Sequence, residues 1–401
     1  MMTTAQPRNY PFEADRLNVD PMYARLRREE PLSRVQLPYG EPAWLATRYE
    51  DVRTVLGDRR FSRAAAVGRD QPRSRPYPAG PGALISLDPP EHSRLRRLVG
   101  QAFTMKRVER LRPSVEQFAN GLVDAMTANG SPAELVQDFG LPLPIAVMCD
   151  LLGVPFEDRA EFRQWADAFL STTKFTVEQV RESRERLRDY VSGMIAQRRE
   201  APGDDLMSAM VAARDSEDRL SEEELLTMTE TILVAGHETT ASQIPNFVYV
   251  LLTNPDQLAA LRADLGLIPQ AVEELLRYVP VGAASSQPRY ALEDVELGGV
   301  TVRAGEPVVV VPLSANRDGS AFTDPDDLDL SRKEAPHLAF GHGPHHCLGS
   351  PLARMELQVG VHTLLTRLPG LRLAVREDEV VWKSGVSTRG PERLPITWDQ
   401  A

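Results

Sequence analysis

Four histidines and one of only two cysteines fall between His337 and Gln358, in the stretch HLAFGHGPHHCLGSPLARMELQ. Three chemistries compete for Cys347. A lone cysteine is most often a small buried hydrophobe, and Cys149, set in PIAVMCDLL, fits that description. A zinc site would draw on His342, His345, His346 and Cys347. Structural zinc sites usually join two separated ligand pairs, however, and these candidates crowd one short loop. The third chemistry is a thiolate on a haem iron. Gly341, Gly343 and Gly349 would let the backbone lie close to a flat macrocycle and turn tightly. The helical pattern after the cysteine, with Pro351 suited to its first turn, supplies backbone N–H groups and a helix N-terminus that stabilise a thiolate.

A second chemistry lies in LSEEELLTMTETILVAGHETTASQIPNFVYVLLTNP. Ser221 with Glu224 forms a capping box and Asn254-Pro255 ends the helix. That predicts roughly 32 residues, or ~48 Å. The helix carries two faults. Gly236 costs about 1 kcal/mol against Ala, and Pro245 lacks the N–H that the Ala241 carbonyl would accept. Glu238, Thr239 and Thr240 sit near both, an acid and two hydroxyls that would hold water where the ladder is weak. An ordinary core helix with a tolerated Gly and Pro is the alternative.

The elements that must position these residues are mostly helical. DPMYARLRREEPLS, HSRLRRLVGQAF, VEQFANGLVDAMTANG and LPIAVMCDLLGVP all carry apolar residues at helical spacing. Strand signals are fewer. EPAWLATRY is one, VELGGVTVRAGEPVVVVPLSAN predicts a hairpin at Gly298-Gly299 followed by a buried strand, and the last part of the chain reads as strand pieces around Ser384-Gly385. The fold class is mostly α with a smaller β portion. Phe61 to Pro90 has too much Pro and Gly for an element and reads as a lid, a pocket wall or a solvated loop.

The totals narrow the function classes. With 401 residues, 42% of them apolar, the chain has ample length for a large core. No linker or repeat divides it, so one domain over 1–401 is expected. A net charge of −11 argues against a general nucleic-acid binder. No signal peptide or membrane-length apolar run is read, and two cysteines make no disulfide framework, so the expectation is a cytoplasmic protein with no membrane partner.

The residues around Cys347 resemble a known family. FGHGPHHCLG is similar to the haem-binding loop of cytochrome P450, Phe-x-x-Gly-x-x-x-Cys-x-Gly, and AGHETT resembles the oxygen-activation segment of that family's central helix. EELLR resembles its Glu-x-x-Arg, here Glu274 and Arg277, and ANRDGSAFTDPDDLDLSR resembles its meander, with Arg332 as third member. Glu109/Arg112 and Glu185/Arg188 match Glu-x-x-Arg by chance. The resemblance spans nearly the whole chain and implies the cytochrome P450 fold. It implies haem b, iron protoporphyrin IX, with Cys347 on the iron. His92, Arg96, Arg289 and His345 would hold the propionates, with Ala235, Gly236, Phe340 and Gly349 against the macrocycle. Glu238 and Thr239 would be the acid–alcohol pair that delivers protons for O–O cleavage. Glu274, Arg277 and Arg332 would form a buried structural trio.

The implied function is a monooxygenase that hydroxylates or epoxidises a bulky secondary metabolite, as in actinomycete tailoring oxidases of macrolide antibiotics. Positions that face substrate in the family fall here on Ile232, Leu233, Val281, Ala283, Ala284, Ser285 and Val386, small or apolar residues that leave room for a macrolide or related polyketide. Electrons would come from ferredoxin and ferredoxin reductase, since no flavin or dinucleotide fingerprint is present. HSRLRRLVGQAFTMKRVERLR, read as one helix with seven Lys/Arg against one Glu, would dock the acidic donor to a monomer. Another natural-product scaffold, a peroxide-driven peroxygenase and a thiolate-haem sensor are the alternatives. The Glu238–Thr239 pair counts against the last two.

Overall fold

A computed structural model of the chain describes residues 6–13, 15–77, 80, 82–155, 158, 165, 168, 171–215, 220–282 and 287–399. Helix accounts for 53% and strand for 12%, well above the ~30–35% helix of an average globular protein and in line with the mostly α expectation. The chain divides into two compact units.

The first unit comprises residues 1–94, 276–328 and 332–347. Its centre is a six-stranded sheet in the order Arg8–Asn9, Leu32–Gln36, Ala43–Ala46, Pro307–Val310, Arg289–Ala291, Phe61–Ser62. Pro307–Val310 is buried along its whole length, as a Val-rich central strand must be. It pairs parallel to Ala43–Ala46 and antiparallel to Arg289–Ala291. Val52, Val55 and Leu56 of the helix Tyr49–Gly57 pack with Val308, Val310 and Phe322 in the core. The hairpin Val295–Leu297/Val300–Val302 turns at Gly298 and Gly299, both with positive φ, as the sequence predicts.

The second unit comprises residues 95–275, 329–331 and 348–401. It is built around the helix Glu222–Thr253, 32 residues long, with both hydrogen bonds of the Ser221–Glu224 capping box in place. Pro142–Leu152 and Ser350–Arg367 pack against it. The Pro245 fault is covered by the turn Val136–Gly140. A Cβ on Gly140 would lie 2.7 Å from Pro245 Cγ and 3.3 Å from the Ala241 carbonyl oxygen, so only glycine approaches this closely. The strand pair Val381–Trp382/Pro391–Arg393 also lies in this unit.

Two expectations are corrected. The basic stretch from His92 to Arg112 is not one helix. It breaks into Glu91–Gly100 and Met105–Asn129, because Ala102 and Phe103 turn into the core and Thr104 takes an extended backbone before the second helix. Phe61 to Pro90 is not elementless. It holds the edge strand Phe61–Ser62 and the 3-10 turns Ala64–Ala66 and Leu84–Ser86. Asp88 pins its two ends together, accepting from the Ser62 hydroxyl and from the N–H groups of Arg63 and Ala64 at 3.0 and 3.3 Å.

Candidate active site

Cys347 ends the first unit, and its thiol is exposed while Cys149 is buried. The loop that presents it is fixed by its own backbone. The N–H of Gly341 donates to Leu338 O at 2.9 Å, that of His346 to Gly343 O at 3.0 Å, and that of Cys347 to Phe340 O at 2.8 Å. Gly341 and Gly343 have φ of +73° and +70°. Gly343 has a further reason to be glycine, one that differs from the expected approach to a macrocycle. A Cβ there would lie 2.6 Å from the Leu56 carbonyl oxygen and 2.7 Å from Gly57 Cα. Gly349 has an ordinary φ of −80°, and a Cβ there would meet no described atom within 4 Å. Among the described residues no three His, Cys, Asp or Glu side chains are placed to hold a metal ion.

The same unit carries three of the four residues expected at the propionates. His92 is buried, and its ring centroid lies 4.1 Å from that of His345. Arg96 lies one turn beyond His92 on the helix Glu91–Gly100 and is half-buried. Arg289 is the informative one. It is 2% exposed, and neither Nη1 nor Nη2 finds an acceptor among the described residues. Burial and the neighbouring Arg63 both oppose its charge and drive its pKa well below the usual arginine value, against a partial offset from Asp88. Arg63 is itself pushed down to about 10 by burial. Asp88 spends its oxygens on the Ser62 hydroxyl and two backbone N–H groups. A buried guanidinium of this kind is stable only with an anion beside it. The buried Arg289, the paired imidazoles and the exposed thiol fit a flat group that carries carboxylates and an iron.

In the second unit, the long helix exposes a narrow stripe. Ala235 and Thr239 are exposed and Ile232 and Gly236 half-buried, while Leu233, His237, Glu238 and Thr240 are buried. Leu233, expected at the substrate, therefore does not line the stripe. The Gly236 Cα hydrogen side meets another helix. A Cβ there would fall 2.5 Å from Met148 Sδ, so packing against Pro142–Leu152 also requires this glycine. Thr239 Oγ1 donates to Ala235 O at 3.3 Å.

Glu238 and Thr239 make no hydrogen bond to one another. The carboxylate turns instead to the C-terminal strands, where Glu238 Oε1 accepts from Lys383 Nζ at 2.8 Å, Thr388 Oγ1 at 3.2 Å and Ser242 Oγ at 3.2 Å. Burial pushes this carboxyl up, but Lys383, His237 and the hydrogen bonds outweigh it and hold the pKa below the ordinary glutamate value. Lys383 and Thr388 escape a reading of the sequence, because they lie about 150 residues away and carry no motif. Arg63 escapes it for the same reason.

Of the expected trio, Glu274 and Arg277 are buried and Arg332 is half-buried. Glu274 Oε1 accepts from the Asp329 N–H at 3.0 Å. Arg277 donates to the carbonyls of Asn316 and Pro325, both at 2.7 Å, and of Asp327 at 3.1 Å. Arg332 donates to the carbonyls of Thr323 at 2.5 Å and of Asp324 and Asp327 at 3.3 Å. The two arginines thus staple the meander by its backbone. The chance match Glu109/Arg112 is a surface ion pair. Val281 lines a cavity of about 220 Å³ with Tyr278, Leu313 and Ala339. Val386 forms a bridge to Ser171. Ala283, Ala284 and Ser285 lie outside the described residues.

Comparison with known proteins identifies the family. The cytochrome P450 family model matches residues 159–369. Mycinamicin IV hydroxylase/epoxidase of Micromonospora griseorubida is 52% identical over 398 residues, 99% of this chain and 100% of its own. Nocardicin C N-oxygenase of Nocardia uniformis subsp. tsuyamanensis is 52% identical over 399 residues, with coverage of 99% and 100%. Among solved structures, HinD with NMFT and NO has a TM-score of 0.96 at 49% identity, covering 98% of this chain and 100% of that one. A mutant of the mixed-function P450 MycG in complex with mycinamicin IV has a TM-score of 0.91 at 52% identity, with the same coverage. Among the described residues no helix is long and apolar enough to cross a membrane. Relatives half identical from end to end, and a family model that matches more than half of the residues, leave one assignment: this chain belongs to the cytochrome P450 family and is a monooxygenase of that family.

Proposed function

We propose that this monooxygenase hydroxylates or epoxidises a bulky secondary metabolite, a macrolide or related polyketide, with O₂ as oxygen source. The observation that carries the reading is the end-to-end identity to mycinamicin IV hydroxylase/epoxidase. Haem b, when bound, supplies the iron at which oxygen is activated. The chain's own residues do the rest. Cys347 would supply the thiolate ligand to that iron, its backbone fixed by the N–H bond to Phe340 O. Arg289, His92, His345 and Arg96 would hold the propionates, and the fork of Arg289 suits a carboxylate. Thr239, on the exposed stripe, would hold a proton for oxygen activation, and Glu238 would supply protons to it. Ala235 and Gly236 keep that stripe low, while Ile232, Val281 and Val386 face substrate.

Electrons come from ferredoxin and ferredoxin reductase in the cytoplasm. Arg97, Lys106, Arg107 and Arg110 are exposed in an otherwise acidic chain, beside Met105, which is 62% exposed. Exposed cations close in sequence to an exposed apolar side chain suit an acidic protein donor. A second reading, N-oxygenation of a nocardicin-like substrate, is favoured by the equal identity to nocardicin C N-oxygenase.

The test is a spin-state titration of the haem-loaded protein with mycinamicin IV and nocardicin C, followed by turnover. The expected result is a shift with the macrolide, and product gaining one oxygen with NADPH, ferredoxin and reductase. A shift with nocardicin C alone moves the assignment to the second reading. Product formed equally well from hydrogen peroxide alone would overturn the ferredoxin-dependent reaction.

A further inference from the structure

The carboxylate of Glu238 is 6% exposed and all three of its hydrogen bonds fall on one oxygen, Oε1. Oε2 takes none from a described residue. The strongest donor is Lys383, whose Nζ also donates to Ser242 Oγ at 3.0 Å. Lys383 is held by more than this pair. Its N–H donates to Gly390 O at 2.9 Å across the strand pair. The preceding Trp382 packs edge-on against Tyr249 of the long helix, centroids 5.0 Å apart, and Asn246 Nδ2 of that helix donates to Arg389 O at 3.1 Å. The strands are thus pinned to the helix one to three turns beyond Glu238. The lysine side chain stays 16% exposed, so it reaches from solvent to a buried acid.

We propose that Lys383 is the positioning residue of the acid–alcohol pair: it anchors Glu238 by Oε1, keeps it a carboxylate, and leaves Oε2 as the oxygen that takes up and hands on each proton. Every proton received on Oε2 leaves from Oε2, so the pair returns to the same charge after each transfer. Ser242 and Thr388 are hydroxyls and carry no charge at neutral pH. Lys383 and His237 are the titratable groups that face Glu238, and Lys383 supplies the larger attraction. Without it a carboxyl this buried is driven toward its neutral form.

The inference rests on Glu238 as the proton carrier, and the test separates the two. The carboxylic-acid C=O stretch of the haem-loaded resting protein is followed by infrared difference spectroscopy from about pH 5 to 8, the range in which a buried glutamate with raised pKa titrates. In the unaltered protein Glu238 contributes no such band. Lys383→Met should create one, and Lys383→Met combined with Glu238→Gln should remove it. Lys383→Arg, which keeps the charge, should show none. In turnover, Lys383→Met should lower product per NADPH about tenfold, within the range a positioned proton-transfer group contributes, and make it pH-dependent; Lys383→Arg should recover most of it. A Lys383→Met protein with no new band and a flat pH profile overturns the inference. If the band appears but Glu238→Gln alone stays fully coupled, Lys383 holds Glu238 as described and the proton role of Glu238 is what falls.

Discussion

Arg289 and Glu238 are both buried charges, one in each unit, and the chain treats them differently. Glu238 has a lysine and two hydroxyls of its own unit on one oxygen. Arg289 has another arginine for a neighbour and no described acceptor on either terminal nitrogen. Leaving a charge buried without a partner costs several kcal/mol. A fold keeps such a group only where something outside the chain completes it. On the proposed reading, Glu238 belongs to machinery that the chain finishes by itself, whereas Arg289 and the thiol of Cys347 would be completed by the cofactor.

The largest test of that contrast is Cys347→Ser. The reduced, carbon-monoxide-bound protein should lose the red-shifted Soret band of thiolate haem entirely, and Cys149→Ser, in the core of Pro142–Leu152, should keep it. An unchanged band in Cys347→Ser removes the cofactor from that side of the comparison.

Arg289→Leu comes next. Haem affinity, measured by transfer to a competing apoprotein, should fall about a hundredfold, as when one partner of a buried charge pair is truncated. The haem-free protein should be no less stable than its parent, because the substitution removes an uncompensated charge. A marked loss of stability without haem would mean that Arg289 already serves the fold. Thr239→Ala tests the finished side. Haem and substrate binding should stay intact while product per NADPH falls about tenfold or more and hydrogen peroxide accumulates. Full coupling would end the role given to Thr239, unless the substrate supplies the hydroxyl.

The smallest effect concerns Glu356, fully buried on Ser350–Arg367. Burial pushes its carboxyl well above the ordinary range, partly offset by the Thr240 hydroxyl. A raised folded pKa gives stability that is complete below the ordinary glutamate value and lost as pH rises through the folded one. Glu356→Gln should therefore come closest to its parent near pH 4, below the ordinary glutamate value, and exceed it by at least about 1 kcal/mol near pH 8 in denaturant melts. Equal stability at both values would show the carboxyl to be compensated after all.

Local chemistry made much of this legible. The capping box, the Gly298-Gly299 hairpin and the loop of Cys347 each depend on residues within a few positions, whose backbone preferences act on neighbours in the chain. The resemblance then carried His92, His345 and Arg289 to one unit. The break at Gln101 to Thr104 was not legible, because helical spacing continues through it and only the burial of Ala102 and Phe103 turns the chain.

By itself the sequence determined most of the helices, the thiol at the end of a Gly-rich loop and an acid beside a hydroxyl on a long helix, since each is written in contiguous residues. Tertiary structure alone decided which charges are compensated. Lys383 meets Glu238 across 145 residues and Arg63 lies against Arg289 across a still longer separation. No local preference encodes such pairs; burial raises the energy of every charge, and only packing determines which partner is near enough to lower it again.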